Sequence, residues 1–389
     1  MDLPSYFTDF LANIRPTSSQ RSKMKKEHRD LRDLLKADEQ LGPLIVSTFI
    51  QGSYRRMTAN RPQDSQQCDV DVIVATTMHE EDYDPQGALE KFRPFLKEHY
   101  AGKFRIQGRS WGIEVDDEVT LDLVPTSAPS EAEKNAMEWS KAASWDFPDE
   151  PEIVTANSYD GLLLEGAGHY FEKFARAAAD PAWKLQPLRI PDRQAKVWED
   201  THPLEQIRWT WDKNKSTNSH YVNVVKAIKW WRKLRVAKPK HPRSYPLEHM
   251  IGDCCPDGIE SVAAGVTLAL EAMEATYRPY VNIGMVPNLA DRGVPSHDVL
   301  ARVTADDFAA FLNEVKSASE TARKALDSDT VKESADLWRE LFGEEFPKAP
   351  ESDGDNGKKD GGSDGGKTSA IGGFTPRTEN TNIGGGRFA

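Results

Sequence analysis

The 389-residue chain is short of cysteine, has no basic surplus and has no long apolar run, and each shortage closes off a class of function. Its three cysteines are Cys68 and the adjacent pair Cys254 and Cys255. That set offers neither a disulfide framework nor the Cys/His spacing of a zinc site. Adjacent cysteines of this kind behave as small buried apolar residues, so a reduced compartment is expected. No stretch reaches the roughly 18 apolar residues that a membrane helix needs. The opening Met1-Asp-Leu-Pro-Ser-Tyr6 lacks the basic-then-apolar layout of a signal peptide. A cytoplasmic chain with no membrane partner is the expectation. Lysine and arginine number 50 against 62 acidic residues, a formal net charge of −12. General nucleic-acid binders carry a basic surface, so this balance gives no strong ground for DNA or RNA binding. One local exception, Arg21, Lys23, Lys25, Lys26, Arg29 and Arg32, falls in an expected helix. It reads as a solvated face balanced by acids elsewhere, or as a contact for a polynucleotide or polyphosphate.

What is present is a set of carboxylates on strands. Leu44 to Ile50 reads as a strand and ends in a Gly52-Ser53 turn; a polar loop leads to Cys68-Asp-Val-Asp-Val-Ile-Val74. Successive strand residues alternate between faces, so Asp69 and Asp71 share one face while Val70, Val72 and Val74 point to the other. A third aspartate, Asp122, stands between Leu121 and Leu123 in Val119 to Val124. If the two strands are neighbours, three carboxylates meet on one side of a sheet. Like charges at short range disfavour joint ionisation. A hard cation such as Mg²⁺, which prefers a few carboxylates plus substrate phosphates, resolves the repulsion. Asp-x-Asp alone is common on solvated strands, but the order of strand, Gly-Ser turn, Asp-x-Asp strand and later Asp points to a nucleotidyltransferase site. Two ions about 3.5–4 Å apart would clamp the attacking and leaving oxygens of an in-line displacement.

Around this core the chain reads as α+β. Residues 1–40 are expected to be helical, with Thr17-Ser-Ser-Gln20 as a cap region and Met24, His28, Leu31 and Leu35 at helical spacing. An amphipathic helix is expected over 85–100, short strands at Phe104–Gln107, Trp111–Val115 and Val119–Val124, and a polar turn at Asp116-Asp117-Glu118. A further helix is expected at Tyr159–Ala179. The second half is helical. Asn218–Lys233 carries Tyr221, Val225, Ile228 and Trp231 on one side and Lys226, Lys229 and Lys233 on another, where a lysine can face a cleft and meet phosphate. Arg243-Ser-Tyr-Pro-Leu-Glu248 reads as a turn, followed by helices at Ile259–Ala275, Ala305–Asp327 and Asp329–Phe342. From about Glu351, Gly, Ser, Asp, Asn and Lys dominate, which predicts a flexible tail.

With Gly52-Ser53, the three aspartates, Lys229 and Arg243-Ser-Tyr245 in hand, the chain resembles the bacterial cGAS/DncV-like nucleotidyltransferases (CD-NTases), relatives of DNA polymerase beta. The resemblance spans roughly residues 15–345. Its most specific parts are Gly52-Ser-Tyr-Arg-Arg-Met-Thr58 through Asp71, the segment Tyr221 to Trp231, and Ser244-Tyr-Pro-Leu-Glu248. It implies a polymerase beta-like core with a mixed, largely antiparallel sheet and a C-terminal helical lobe. The divisions would be an N-terminal helix bridging the lobes (1–40), a catalytic core (41–205), a helical domain (206–345) and a Gly-rich flexible tail (346–389). It also implies roles. Gly52 and Ser53 would hold a donor triphosphate, Asp69 and Asp71 would ligate two Mg²⁺ ions (Mn²⁺ can substitute), and Asp122 would complete the metal site nearest the attacking hydroxyl. Lys229 and Ser244 would contact donor phosphates, with Lys226, one turn away, as the alternative lysine, and Tyr245 would stack on a base. The implied activity is synthesis of a cyclic di- or trinucleotide messenger from nucleoside triphosphates, ATP among them, in the CBASS defence against phage. The Gly384-Gly-Gly-Arg-Phe-Ala389 end is similar to tails that ubiquitin-like conjugating enzymes attach to targets. The competing reading is a nucleotidyltransferase that modifies a tRNA, a protein or a small molecule with the same carboxylates. A non-catalytic nucleotide sensor is a third, which the intact aspartates disfavour.

Overall fold

Pro16 and a capping threonine divide the N-terminal segment into two helices where one run was expected. Proline disfavours helical backbone at the residue before it, and Arg15 is extended at φ −79°, ψ 153°. Thr17 then opens the next helix with a capping box: its side chain accepts from the Gln20 N–H, and the Gln20 side chain accepts from the Thr17 N–H. The first helix, α1 (Pro4–Ile14), places Phe7, Phe10, Leu11 and Ile14 in a core shared with the C-terminal helices. The second, α2 (Ser18–Ala37), places Met24, Leu31 and Leu35 in a separate core beneath the sheet. The computed structural model describes residues 1–63, 66–128, 186–236 and 242–350. Residues Met1–Ala349 cluster as one compact unit. The helix expected at Tyr159–Ala179 and the tail from 351 onward lie outside the described residues.

The sheet carries seven strands among the described residues: β1 (Ile45–Gln51), β2 (Cys68–Thr76), β3 (Phe104–Ile106), β4 (Trp111–Glu114), β5 (Val119–Ser127), β6 (Leu188–Asp192) and β7 (Val197–Thr201). Their order is β1-β2-β5-β4-β3, with β6 joined to β5 and β7 to β6. Only the β2–β5 pair is parallel, so the sheet is mixed and largely antiparallel. The turn between β4 and β5 forms as its sequence predicts. The Asp116 carboxylate accepts the N–H groups of Glu118 at 2.8 Å and Val119 at 3.1 Å, an Asx-type turn. Val70, Val72, Val74, Leu121 and Leu123 are fully buried on one face. They pack with α2 and with two short helices that follow the single turn α3 (Gly52–Arg55), namely α4 (Pro85–Glu90) and α5 (Arg93–His99). The one helix expected over 85–100 is broken because Pro94 has no N–H to donate to the preceding turn. Strands β6 and β7 are not foreshadowed by the sequence pattern; they are short, and Pro191 and several charged residues interrupt the alternation.

Six helices complete the described unit: α6 (Pro203–Ser216), α7 (Tyr221–Arg235), α8 (Ser244–Cys254), α9 (Val262–Asn282), α10 (Ala305–Asp327) and α11 (Val331–Phe342). On α7, Tyr221, Val225, Ile228 and Trp231 are buried, as their spacing requires. The expected turn at Arg243–Glu248 is instead the start of α8. Pro246 sits in the first helical turn, where the N–H it lacks would have no partner within the helix anyway. Helix α9 runs past its expected end at Ala275 and contains Pro279. Phe10 stacks on Phe342 at 4.5 Å between ring centres, and Phe342 on Trp338 at 5.7 Å. This aromatic cluster fixes the N-terminal helix to the C-terminal one. All three cysteines are buried and unbridged. No helix among the described residues is long and apolar enough to cross a membrane.

Candidate active site

The parallel pairing of β2 with β5 sets the site, because its register places Asp71 beside Asp122 and Asp69 beside Thr120. Alternation then brings Asp69, Asp71 and Asp122 to one face. One oxygen of each lies within 4.8 Å of the others. The Thr120 hydroxyl donates to Asp69 at 3.2 Å, and the Gln107 carboxamide donates to Asp122 at 2.9 Å. Burial pushes the Asp71 carboxyl up to about 7, with the charge of Asp69 adding to the rise and Arg56 opposing it. Burial likewise pushes Asp122 up to about 7, with Asp69 and Asp71 adding and Gln107 opposing. Asp69 reaches the open cleft, yet enough protein surrounds its carboxyl that desolvation still raises it. Three acids that resist ionising together, presenting only oxygen, fit a hard divalent cation.

Gly52 is required by the closeness of this cluster to the end of β1. Gln51 pairs with Asp71, and the next residue turns at φ +74°, in the left-handed region. A Cβ on Gly52 would stand 1.9 Å from an Asp71 oxygen. No other residue type meets both demands. Ser53 follows in α3 and lines a cavity of about 440 Å³ together with Asp69, Lys229, Arg232, Lys233, Arg243 and Ser244. One wall of that cavity is cationic.

Lys229 is held in that wall by a buried acid, Glu248, whose role the sequence does not reveal. Its ammonium donates to Glu248 at 2.7 Å and to the Thr58 carbonyl at 3.0 Å. Glu248 also accepts from Arg56 and from the Thr58 hydroxyl, both at 3.1 Å. Burial alone would raise Glu248, but Arg56 and Lys229 outweigh it and hold the carboxyl down at about 2. The segment after Gly52-Ser53 is thereby tied to α7 and α8. Lys226 lies elsewhere: it is buried, its carbonyl accepts from Asn60 at 3.0 Å, and it is not part of the cavity lining.

Arg243 also borders a second cavity of about 950 Å³, whose lining includes Gln107, Arg109, Tyr245, Asp298 and Arg302. The Tyr245 hydroxyl donates to Asp291 at 2.5 Å. Asp291 is itself fixed by the Gly293 and Val294 N–H groups. Ser244 and Tyr245, consecutive at the start of α8, thus face different cavities. Nothing in the sequence marks Gln107 or Asp291, whose contacts with Asp122 and Tyr245 join residues well separated in the chain. The basic stretch of α2 is largely engaged within the protein: Lys23 pairs with Asp116 and Glu118, Lys26 with Glu27 and Asp30, and Arg32 is buried against Thr48.

Residues 1–152 match the family model described as the Second Messenger Oligonucleotide or Dinucleotide Synthetase domain, a span that contains all three carboxylates. The chain is 42% identical over 368 residues to a cyclic AMP-AMP-GMP synthase of Enterobacter hormaechei subsp. hoffmannii, covering 91% of this chain and 94% of the relative. Its fold is similar to that of E. coli CdnC solved with ATP (TM-score 0.60, 13% identity, 89% of this chain and 100% of that one). It is also similar to that of Bradyrhizobium diazoefficiens CdnG solved with GTP (TM-score 0.62, 11% identity, 87% and 95%). The family match takes in the segment that carries the clustered acids, and the identity to the Enterobacter relative holds over nearly the whole length. The chain belongs to the cGAS/DncV-like nucleotidyltransferases and is a cyclic oligonucleotide synthase of the CBASS antiphage type.

Proposed function

We propose that the chain joins two adenylates and one guanylate into a cyclic trinucleotide, using Asp69, Asp71 and Asp122 to hold two Mg²⁺ ions, for which Mn²⁺ can substitute. The observation that carries this is the register of Asp71 beside Asp122, with all three acids close enough to share ions. When bound, such ions neutralise phosphate charge and lower the pKa of the attacking hydroxyl. Ser53 and the backbone of Gly52 hold the donor triphosphate. Lys229 and Ser244, on the wall of the same cavity, take its phosphates. Tyr245 offers its ring to a base in the second cavity, braced by Asp291. Arg243 borders both spaces and suits the junction of phosphate and nucleoside. Asp122 accepts the proton of the attacking ribose hydroxyl as the new O–P bond forms and the bond to pyrophosphate breaks. The larger cavity gives a linear intermediate room to turn before ring closure.

The product composition rests on the Enterobacter relative, the mechanism on the geometry. Incubation with ATP, GTP and Mg²⁺, phosphatase treatment and mass spectrometry test both. The expected product resists phosphatase and contains two AMP and one GMP. A different ring overturns the composition, and label found instead on an added tRNA or protein overturns ring synthesis. The proposal extends to the Gly-rich end. Coexpression with a ubiquitin-like conjugating enzyme pair should give an adduct that disappears when the residues ending at Ala389 are removed, and an adduct that survives their removal defeats it.

A further inference from the structure

The third carboxylate is not placed by its strand alone. Asp122 lies on β5 opposite Gly112 of β4, and across that glycine reaches a side chain from outside both strands. Gln107, in the loop between β3 and β4, donates its amide Nε2–H to Asp122 Oδ1 at 2.9 Å. The other end of the carboxamide is fixed: its Oε1 accepts from the Ser110 hydroxyl at 3.2 Å. The backbone is fixed as well. The Gln107 N–H donates to the Ser110 carbonyl at 2.8 Å, and the Gln107 carbonyl accepts from Arg193 at 2.7 Å. Gly112 makes this path possible, since a Cβ there would stand 2.5 Å from Gln107 Nε2 and 3.4 Å from Asp122 Oδ1. The glycine is not demanded by its backbone, which has no positive φ. What it supplies is space over the strand. Gln107 also borders the larger cavity, so it holds Asp122 from the side where a nucleoside would approach.

We infer that Gln107 is a positioning residue for Asp122: oriented by Ser110 and admitted by Gly112, it holds one carboxylate oxygen and leaves the other turned to the ions and the attacking hydroxyl. A neutral amide donor suits this role. It can hold a carboxylate without competing for a cation, as an arginine or lysine would, and without adding a fourth negative charge. Carboxylates that bind ions are commonly oriented in this way, and loss of the orienting group typically costs about 10–100-fold in metal affinity or activity. In this role Gln107 acts through Asp122, the side chain its amide reaches.

The inference rests on the metal-site reading above, and binding of Mn²⁺ to the full chain separates the two. Titration followed by electron paramagnetic resonance, with a non-hydrolysable ATP analogue present, is run on the wild type, Gln107→Leu, Gly112→Ala and Asp122→Asn. Gln107→Leu keeps the bulk and removes the donor. Gly112→Ala keeps Gln107 and pushes its flexible end off Asp122. Both are expected to weaken Mn²⁺ by about tenfold or more and to lower kcat with little change in KM for ATP. In the Asp122→Asn background, Gln107→Leu is expected to change Mn²⁺ affinity no further, because the group it acts through is gone. Gln107→Glu is expected to require more Mn²⁺ than the wild type in order to reach full rate, and not to restore the wild-type response. A wild type that binds no Mn²⁺ overturns the metal reading and this inference with it. A wild type that binds while both single variants bind equally well overturns the positioning role alone. An equal loss from Gln107→Leu with and without Asp122 assigns Gln107 a general structural part and also overturns it.

Discussion

Asp122→Asn should make the cation-free chain more stable at neutral pH while abolishing synthesis. In the folded chain the Asp122 carboxyl is raised from 3.8 to about 7. Between those values the fold keeps a proton that the unfolded chain releases, so stability falls as pH rises from about 4 to about 7 and stays low above that. At about 1.4 kcal/mol for each pH unit across that interval, the cost of ionising the folded acid has a ceiling of about 4 kcal/mol. Asp69 and Asp71 share the strain and water screens the cleft, which brings the expected gain from asparagine to about 1–3 kcal/mol. In a chain of this size that corresponds to about 1–4 °C in Tm. The assay is thermal unfolding in EDTA across a pH range from about 4.5 to about 8.5, spanning the interval in which the acid titrates, repeated with excess Mg²⁺. The gain should be small at the acid end, where the wild-type acid is still protonated when folded, and complete above about pH 7. Mg²⁺ should stabilise the wild type, by about 2.7 kcal/mol at a hundredfold excess over its Kd, and the variant much less. A variant no more stable than the wild type at the alkaline end in EDTA, or a gain independent of pH, refutes the reasoning that this site holds mutually repelling acids in wait for a cation.

Glu248→Ala should cost about 3–5 kcal/mol in urea unfolding, because Arg56 and Lys229 lose the buried acid they share. In the wild type, Glu248 contributes stability that is complete above its unfolded pKa near 4.5 and is lost as pH falls toward about 2; the variant should lack that acid-side loss. Gly52→Ala should reduce product formation by about a hundredfold or more, since its Cβ collides with Asp71 and displaces it from its partners. A rate within about tenfold of the wild type would show that the collision is relieved elsewhere. Thr17→Ala should lower stability by about 1 kcal/mol through loss of the capping box and leave synthesis at room temperature unchanged.

The parts of the site legible in the sequence were those written in local periodicity. Asp69 and Asp71 share a face because a strand alternates, and the flanking valines identify which face is buried. Asp122 between two leucines could be assigned to the polar side for the same reason. Pairing is not local. Nothing in either strand states that β2 and β5 run parallel, or that the register sets Asp71 against Asp122 and not one residue away, which would reverse the faces. The lysine face of α7 was visible, but which lysine meets the cavity depends on how the helix rotates against its neighbours. Lys229 reaches Glu248 and Thr58, while Lys226, one turn earlier, is buried. Prolines misled where position within an element decides their meaning. Pro246 was read as a turn residue and lies in the first turn of a helix, while Pro16 and Pro94 mark divisions in helical runs that looked continuous.

Two glycines lie beyond the reach of local pattern. Gly52 follows the end of β1 and Gly112 lies within β4, and each stands next to a carboxylate it does not bond. At Gly52 the missing side chain makes room for Asp71 itself; at Gly112 it makes room for the amide that restrains Asp122. In sequence the first looks like half of a phosphate-binding turn and the second like a weak point in a strand. In the fold both solve one steric problem, the crowding of three acids and their supports between adjacent strands. The two substitutions should nonetheless fail differently. Alanine at 52 meets a carboxylate on a buried strand and a left-handed backbone, neither of which can yield cheaply. Alanine at 112 meets the free end of a glutamine, which can swing away. Gly52→Ala should therefore lose synthesis even at saturating Mn²⁺, whereas Gly112→Ala should recover a large share of its rate as Mn²⁺ is raised. If excess Mn²⁺ rescued both variants alike, the acids would not be held as rigidly by their strands as the β2–β5 register implies.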